Sequence, residues 1–271
     1  TLLASKRFMS TAECSMAEVF RLVCYGGGTN STALLIECVN RNIKVDVILF
    51  ADTGGEKPHT YAYIKTFNKW LLDHNMPEIT VVKYKNKHGD LLTLEQDCLN
   101  RNSLPALAYG FKTCSQRFKG APQDKFMNNY QPAKDYWDTG RRITKLIGFD
   151  ANESHRIKDY SDKKYTVEYP LVDWDMGREE CVEIIEKAGL CQTGKSACFF
   201  CPATKQTEIR QLKATYPELA KRAIDIENQA DTTNIKGLGR HFNWKDLLST
   251  DDMFNEGFLT TPEMACGCYD G

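Results

Sequence analysis

The sequence predicts an α/β fold: a doubly wound, mainly parallel sheet with a mostly helical, cysteine-bearing C-terminal cap. Three observations predict it. Short apolar runs alternate with helix-length amphipathic segments, a glycine-rich turn joins the first run to the first helix, and the pattern becomes helical after Tyr169. Arg21 to Tyr25 reads as a buried strand, and Ser31 to Asn40 as the helix that follows it. Lys44 to Phe50 is a second strand, followed by a loop and a helix over His59 to His74. Ile79 to Tyr84 and Ile143 to Phe149 give a third and a fourth strand. Right-handed crossovers then bring the loops at the carboxyl ends of the strands to one edge, where ligands bind in such sheets. Beyond Tyr169, helices are predicted over Arg178 to Ala188, Lys205 to Tyr216 and Pro217 to Ala230. The expected organisation is a nucleotide-binding α/β unit over 19–168 and a cap over 169–271 packed upon it.

The chain has 271 residues, 42% hydrophobic and 26% charged, enough to bury a full core. Its 35 Lys and Arg against 36 Asp and Glu leave a net charge of −1, which advertises neither a nucleic-acid nor an acidic-membrane partner. No apolar run is long enough to span a bilayer, and residues 1–18 lack the apolar core of a signal peptide. Eleven cysteines, an odd number, then suggest a reducing cytoplasm and metal-binding or catalytic thiols rather than a disulfide framework. Cys24, Cys38 and Cys181 fall in apolar strand and helix patterns and read as core packing.

The segment Tyr25-Gly26-Gly27-Gly28-Thr29-Asn30-Ser31-Thr32 places backbone N–H groups at a helix start, where phosphate can approach closely. Thr29, Ser31 and Thr32 add hydroxyls; the competing reading is a tight turn with a Ser/Thr cap. No Lys follows the glycines as a Walker A loop requires. The second strand runs into Asp52-Thr53-Gly54-Gly55-Glu56, where Asp52 suits a ribose hydroxyl or a metal, and where a plain turn would use the same residues.

These motifs resemble the adenine-nucleotide alpha-hydrolase (PP-loop) superfamily, which includes ATP pyrophosphatases and the reductases of phosphoadenosine and adenosine phosphosulfate (PAPS and APS). Tyr25 to Thr32 is similar to the SGGxDS phosphate loop, and Phe50 to Ile64 to the second-strand segment of the PAPS reductase branch. Ile147 to Arg156, with Gly148, Glu153 and Ser154, resembles that branch's Gly-x-x-x-x-(Glu/Gln)-Ser-x-x-Arg stretch, with a shorter gap before the Arg. Tyr169 to Trp174 resembles its Pro-Leu-x-x-Trp element. The resemblance runs in order from Leu22 to the C-terminus. It departs at Gly26, where the family has Ser, and at Asn30, where it has Asp; an amide lacks the charge that would help orient Mg²⁺. By resemblance Arg156 faces the nucleotide's phosphate or sulfate, for which a guanidinium fork is suited.

Ser196-Ala197-Cys198-Phe199-Phe200-Cys201-Pro202 contains a CxxC pair, able to share a metal or form a redox disulfide. Cys114 precedes it at a distance that resembles the cluster-bearing APS reductases, whose first pair of cysteines is here reduced to one. The resemblance implies a 4Fe–4S cluster on Cys114, Cys198 and Cys201, with Cys268, Cys266 or Cys191 as the further ligand; zinc is the competing metal. It also implies that Cys266, in the tail Cys266-Gly267-Cys268, is the thiol that takes sulfur from the sulfonucleotide. Lys112, Arg117 and Lys119 beside Cys114 form either a guide for an anionic nucleotide or RNA, or a solvated face; His155 and His241 read as ordinary histidines. Three functions follow. The first is a sulfonucleotide reductase served by a thiol or thioredoxin-like reductant. The second is an ATP pyrophosphatase that adenylates a nucleic acid or small molecule for sulfur transfer. The third is a nucleotide sensor without chemistry. Fold resemblance alone does not choose among them.

Overall fold

The computed structural model describes residues 18–233 and 235–251. The sheet has five parallel strands in the order β3-β2-β1-β4-β5: β1 Arg21–Tyr25, β2 Val47–Asp52, β3 Ile79–Lys83, β4 Ile143–Leu146 and β5 Tyr165–Glu168. In register, Val23 of β1 lies opposite Ile48 of β2 and Leu146 of β4. Parallel strands covered on both faces carry continuous apolar runs, which is why RLVCY and VILFAD do not alternate with polar residues.

Successive side chains still divide between the two faces. Val23, Tyr25, Ile48 and Phe50 pack in one apolar cluster, Leu22, Cys24, Val47 and Leu49 in another. The first face is covered by α1 (Thr29–Asn40) and α2 (Pro58–Asp73), which contribute Leu34, Leu35, Tyr63 and Phe67. Pro58, lacking a donor that the first turn would leave unused, starts α2. The opposite face takes Met127 from α5 (Ala121–Asn129) and Ala133 from α6 (Gln131–Asp138). Between β3 and α5 lie α3 (Leu94–Asn100), started by a Thr93–Gln96 capping box, and the short α4 (Thr113–Ser115).

After β5 come α7 (Pro170–Asp173), α8 (Arg178–Lys187), α9 (Gln206–Thr215), α10 (Pro217–Gln229) and α11 (Trp244–Asp251). Helix α8 packs along α1, and its Cys181 and Ile185 belong to the same cluster as β1 and β2. Helices α9 to α11 share a separate core, in which Ile209, Ile226 and Trp244 meet Phe199, Phe200 and Phe118. Cys24, Cys38 and Cys181 are buried, in keeping with packing roles.

The predicted second strand starts three residues later than expected and runs on through Asp52, because its pairing with β1 begins at Leu22–Val47 and its pairing with β3 continues to Asp52–Lys83. Strand β5 is a finding beyond the four expected. Its Thr166, Val167 and Glu168 are half-buried or exposed, so it offered no apolar run to read. Among the described residues no helix is long and apolar enough to cross a membrane.

Candidate nucleotide site

Strand order reverses beside β1: the chain moves from β1 to β2 and β3 on one side and to β4 and β5 on the other. In open parallel sheets the crevice at such a point, at the carboxyl ends of the strands, is where ligands bind. The glycine-rich loop lies there. Gly27 is left-handed (φ +77°), and Gly28 is the N-cap of α1, with no side chain capping the helix start. The first N–H groups of a twelve-residue helix thus face the crevice with its positive dipole end.

The loop's hydroxyls shape the loop itself. Ser31 and Thr32 both donate to the Gly28 carbonyl (3.2 and 2.9 Å), Ser31 accepts from Gly26 N–H (3.2 Å), and Tyr25 O–H bonds the Thr32 hydroxyl (3.2 Å). Tyr25, Gly26, Gly27, Thr29, Asn30, Ser31 and Thr32 are buried, and Gly28 alone is half-exposed. A side chain on Gly28 would meet only the Ser196 Cβ, at 3.8 Å, so this is where an anion can reach the backbone. Thr60, fully buried and in contact range of Gly27, has an Oγ1 with no hydrogen-bond partner among the described residues. A buried hydroxyl without a partner is costly, and a polar ligand or ordered water at the loop would satisfy it. The loop and its surroundings therefore fit a phosphate-bearing ligand.

Gly148, two residues beyond β4, backs the loop. A Cβ there would lie 2.9 Å from the Ser31 Cα and 3.0 Å from its N, so only glycine allows the first turn of α1 to sit so close to the sheet. The following residues meet Asn30. Its Nδ2 donates to Asp150 and to Glu153, each at 2.9 Å, and its Oδ1 accepts from Arg178 (3.1 Å). Arg156 pairs with Glu153 and lies over the Phe149 ring at 4.1 Å. Arg156, half-buried, is thus neither fully solvated nor aimed solely at a ligand; with half-buried Arg178 it flanks the buried polar side chains of Asn30, Asp150 and Glu153.

Asp52 is buried and organises the turn after β2. It accepts from Gly54 N–H and Tyr61 O–H, both at 2.7 Å, and pairs with Lys83 at 3.2 Å. Burial, and the bond to Asp52, push the Tyr61 phenol upward. Thr53 accepts from Gly55 N–H (3.2 Å) and touches the Cys198 sulfur (3.1 Å).

That last contact brings in a segment that motif reading did not connect to the loop. Residues 193–199 run across both loops. Thr193 meets Thr29 (3.2 Å), Ser196 donates to the Gly26 carbonyl (2.5 Å) and to Glu56 (3.3 Å), and Cys198 forms an antiparallel bridge with Glu56. Lys195 is buried against Glu208 at 2.7 Å. Only the hydroxyls ahead of the CxxC signalled this in the sequence.

Of the metal-ligand set, Cys114 and Cys198 pack on the same cap core, and Cys201 is buried beside Phe200. Among the described residues, no three His, Cys, Asp or Glu side chains are grouped as a metal site. Cys266 and Cys268 lie outside the described residues, and Cys191 is exposed. The donors present do not by themselves make up a cluster or zinc site, and no step below is routed through one. Arg117 is held by Asp97 (2.8 Å) and lies over Tyr84 (4.8 Å), so it is a structural cation rather than a free guide for anions.

No family model matches the chain. It is similar to an uncharacterized protein of Methanocaldococcus jannaschii, 24% identical over an alignment of 239 positions that covers 82% of this chain. The chain spans about half the length of that curated relative (51%).

Proposed function

We propose that this chain is an adenine-nucleotide-binding enzyme of sulfur metabolism, acting on PAPS or APS as the sulfonucleotide reductases it resembles do. The observation that carries the reading is the uncapped start of α1 at the strand-order reversal, with Gly148 pressed behind it and Gly28 left open in front. Phosphates lie over Gly28 and the first turn of α1, where backbone N–H groups and the helix dipole favour negative charge. Beside Asn30, Arg156 and Arg178 offset the carboxylates of Asp150 and Glu153, so that the crevice is not negative overall at this point. A protein thiol takes the sulfonate, and a thiol or thioredoxin-like protein restores it. Calorimetry with PAPS, APS and ATP tests the binding, and sulfite release tests the reaction. Failure of all three nucleotides to bind would discard the reading.

A second reading, ATP pyrophosphatase, is favoured by one observation. Asp150 and Glu153 both approach the Asn30 amide, so two carboxylates stand beside the loop where the family's Asp is missing. Hard oxygen ligands of this kind suit Mg²⁺ beside a bound triphosphate. Pyrophosphate release from ATP, without sulfite from either sulfonucleotide, would select it.

A further inference from the structure

We propose that Ser196 is a phosphate-binding residue of the nucleotide site, a hydroxyl lent by the cap to a loop whose own side-chain protons are all committed. The inference rests on the adenine-nucleotide reading above and deepens it. It is the same whether the reaction is sulfonucleotide reduction or ATP cleavage.

A hydroxyl has one proton, and in the loop each one is already placed. Ser31 and Thr32 both donate to the Gly28 carbonyl (3.2 and 2.9 Å). With its own proton there, Thr32 can only accept from Tyr25 (3.2 Å), which uses the Tyr25 proton. Thr193 donates to the Gly194 carbonyl (2.8 Å), so in the contact between Thr29 and Thr193 (3.2 Å) it is Thr29 that donates. The Asn30 amide is taken by Asp150 and Glu153, both at 2.9 Å. Gly26, Gly27 and Gly28 have no side chains. From the loop itself a ligand therefore meets only backbone N–H groups.

Side-chain donors have to come from outside, and two residues bracket Gly27. A Cβ on Gly27 would lie 3.5 Å from the Ser196 Oγ and 3.2 Å from the Thr60 methyl. Thr60 is fully buried, and its Oγ1 has no hydrogen-bond partner among the described residues. A buried hydroxyl in that state calls for a polar group at the loop. Ser196 stands at the open side. Gly28 is the half-exposed residue of the loop, and the Ser196 Cβ lies 3.8 Å from where a Cβ on Gly28 would be. An anion on the Gly28 backbone thus has Ser196 as its neighbour outside the loop.

The Ser196 proton is readily reassigned. It serves the Gly26 carbonyl (2.5 Å), with the Glu56 carboxylate as a second acceptor (3.3 Å). A hydroxyl rotates to suit its partners, and an anionic phosphate oxygen is a stronger acceptor than a neutral carbonyl. Glu56 is buried and its charge opposes a phosphate nearby, which makes a donor at Ser196 the more necessary.

The backbone that carries Ser196 is fixed from three directions. Thr193 is tied to Thr29, Phe199 N–H donates to the Gly55 carbonyl (2.8 Å), and Lys195 is buried against Glu208 (2.7 Å). Glu208 in turn accepts from Lys205 N–H (2.9 Å) at the start of α9. The hydroxyl is therefore in place before a ligand arrives, which spares the ordering cost of binding.

Calorimetry on the full chain with adenosine, AMP, ADP and ATP tests this. Ser196→Ala should bind adenosine as the parent does, and bind ADP and ATP about tenfold more weakly, the loss expected for a hydrogen bond to a charged group. Phosphorothioate nucleotides separate a lost bond from a loosened cap segment. Sulfur is a poorer acceptor than the non-bridging oxygen it replaces, so the parent should lose affinity for an isomer of ADPαS or ADPβS relative to ADP. Ser196→Ala should show no such loss. Ser196→Cys, of nearly the same shape and a weak donor, gives the same comparison if the alanine variant does not fold. Equal ADP affinity in parent and variant, or an equal phosphorothioate penalty in both for every isomer, would overturn the inference while leaving the nucleotide reading intact. A parent that binds none of these nucleotides would show that the nucleotide reading itself, and the role of Ser196 with it, is mistaken.

Discussion

The loop after β1 and the segment 193–201 are both short, polar and glycine-containing, and they touch, yet they owe their shapes to different causes. The loop is built by its own residues: Gly26 reaches Ser31 and Gly28 reaches Thr32, four or five positions along the chain. The cap segment is held by partners up to 170 positions away, from Gly26 to Glu56. Local bonds leave a mark in the sequence because the demanding backbone angle and the capping hydroxyls must be adjacent. Long-range bonds leave none, since any serine or threonine would serve.

This contrast can be broken by experiment. The largest effect is expected at high pH, where the sheet core behind the loop and the cap core behind segment 193–201 are both at risk. Burial pushes the thiols of Cys38, Cys98 and Cys181 up to about 12. Each is protonated in the fold, so their contribution is fully present below the ordinary thiol value of 9.0 and is lost as pH rises toward 12. The decline should be on the order of 1 kcal/mol per thiol per pH unit, read by denaturant titration between pH 8 and 11. Cys181 lies in the sheet core and Cys98 in the cap core. Comparing Cys181→Ala with Cys98→Ala then shows whether the two cores yield together.

Next is Gly148→Val. The new side chain would push into the backbone of Ser31, 2.9 Å from the Cβ position. A cost of about 3 kcal/mol and loss of nucleotide binding are expected, measured by urea unfolding and calorimetry. Asn30→Asp removes the amide that holds two carboxylates and adds a third. Destabilisation of about 2 kcal/mol without metal is expected. Recovery of melting temperature on adding Mg²⁺ would strengthen the ATP pyrophosphatase reading.

Gly28→Ala separates binding from folding. With φ −106° and ψ 177° the position accepts a side chain, and only the Ser196 Cβ is nearby, at 3.8 Å. Stability should be unchanged while nucleotide affinity drops about tenfold, or about 1.4 kcal/mol, because the open face of the loop is narrowed. Gly27, at φ +77° with the Thr60 methyl 3.2 Å away, would confound the two effects. The smallest change is Thr193→Val, which removes a single hydroxyl contact across the two regions. About 1 kcal/mol or less is expected from thermal unfolding, with weaker nucleotide binding if the cap segment closes the site.

Four of the five strands, helices α1 and α2 and the cap helices α8 to α10 were legible, because burial on two faces and helical spacing both write themselves into residue order, whereas α7 and α11 were not read. Strand β5 was not. It sits at the sheet edge, where Thr166 needs only pair with Thr144 (3.1 Å) and no apolar run is demanded. Gly148 was found through a motif, and its cause is steric contact with α1. Asp52 was singled out as a ligand group, whereas its oxygens brace the turn through Gly54, Tyr61 and Lys83. Arg178 escaped notice because nothing near it in sequence marks it; its partner Asn30 is 148 positions away. The cysteines were read as one constellation by spacing, and spacing does not say which sulfur touches the strand end.

The parallel order of the sheet has a consequence for how the chain acquires its site. Strand β1 needs both β2 and β4, and β4 begins 122 positions after β1 (Ile143 against Arg21). Asn30 and Gly26 wait for partners that arrive later still, at Arg178 and Ser196. Contacts of such separation form slowly, after the entropy of closing long loops has been overcome. During synthesis the emerging N-terminal half thus carries the phosphate loop without its cover, and the assembled crevice is a late event. Under the nucleotide reading, the ligand would then favour the finished chain over partly folded ones, so cellular nucleotide would act as a final check on folding.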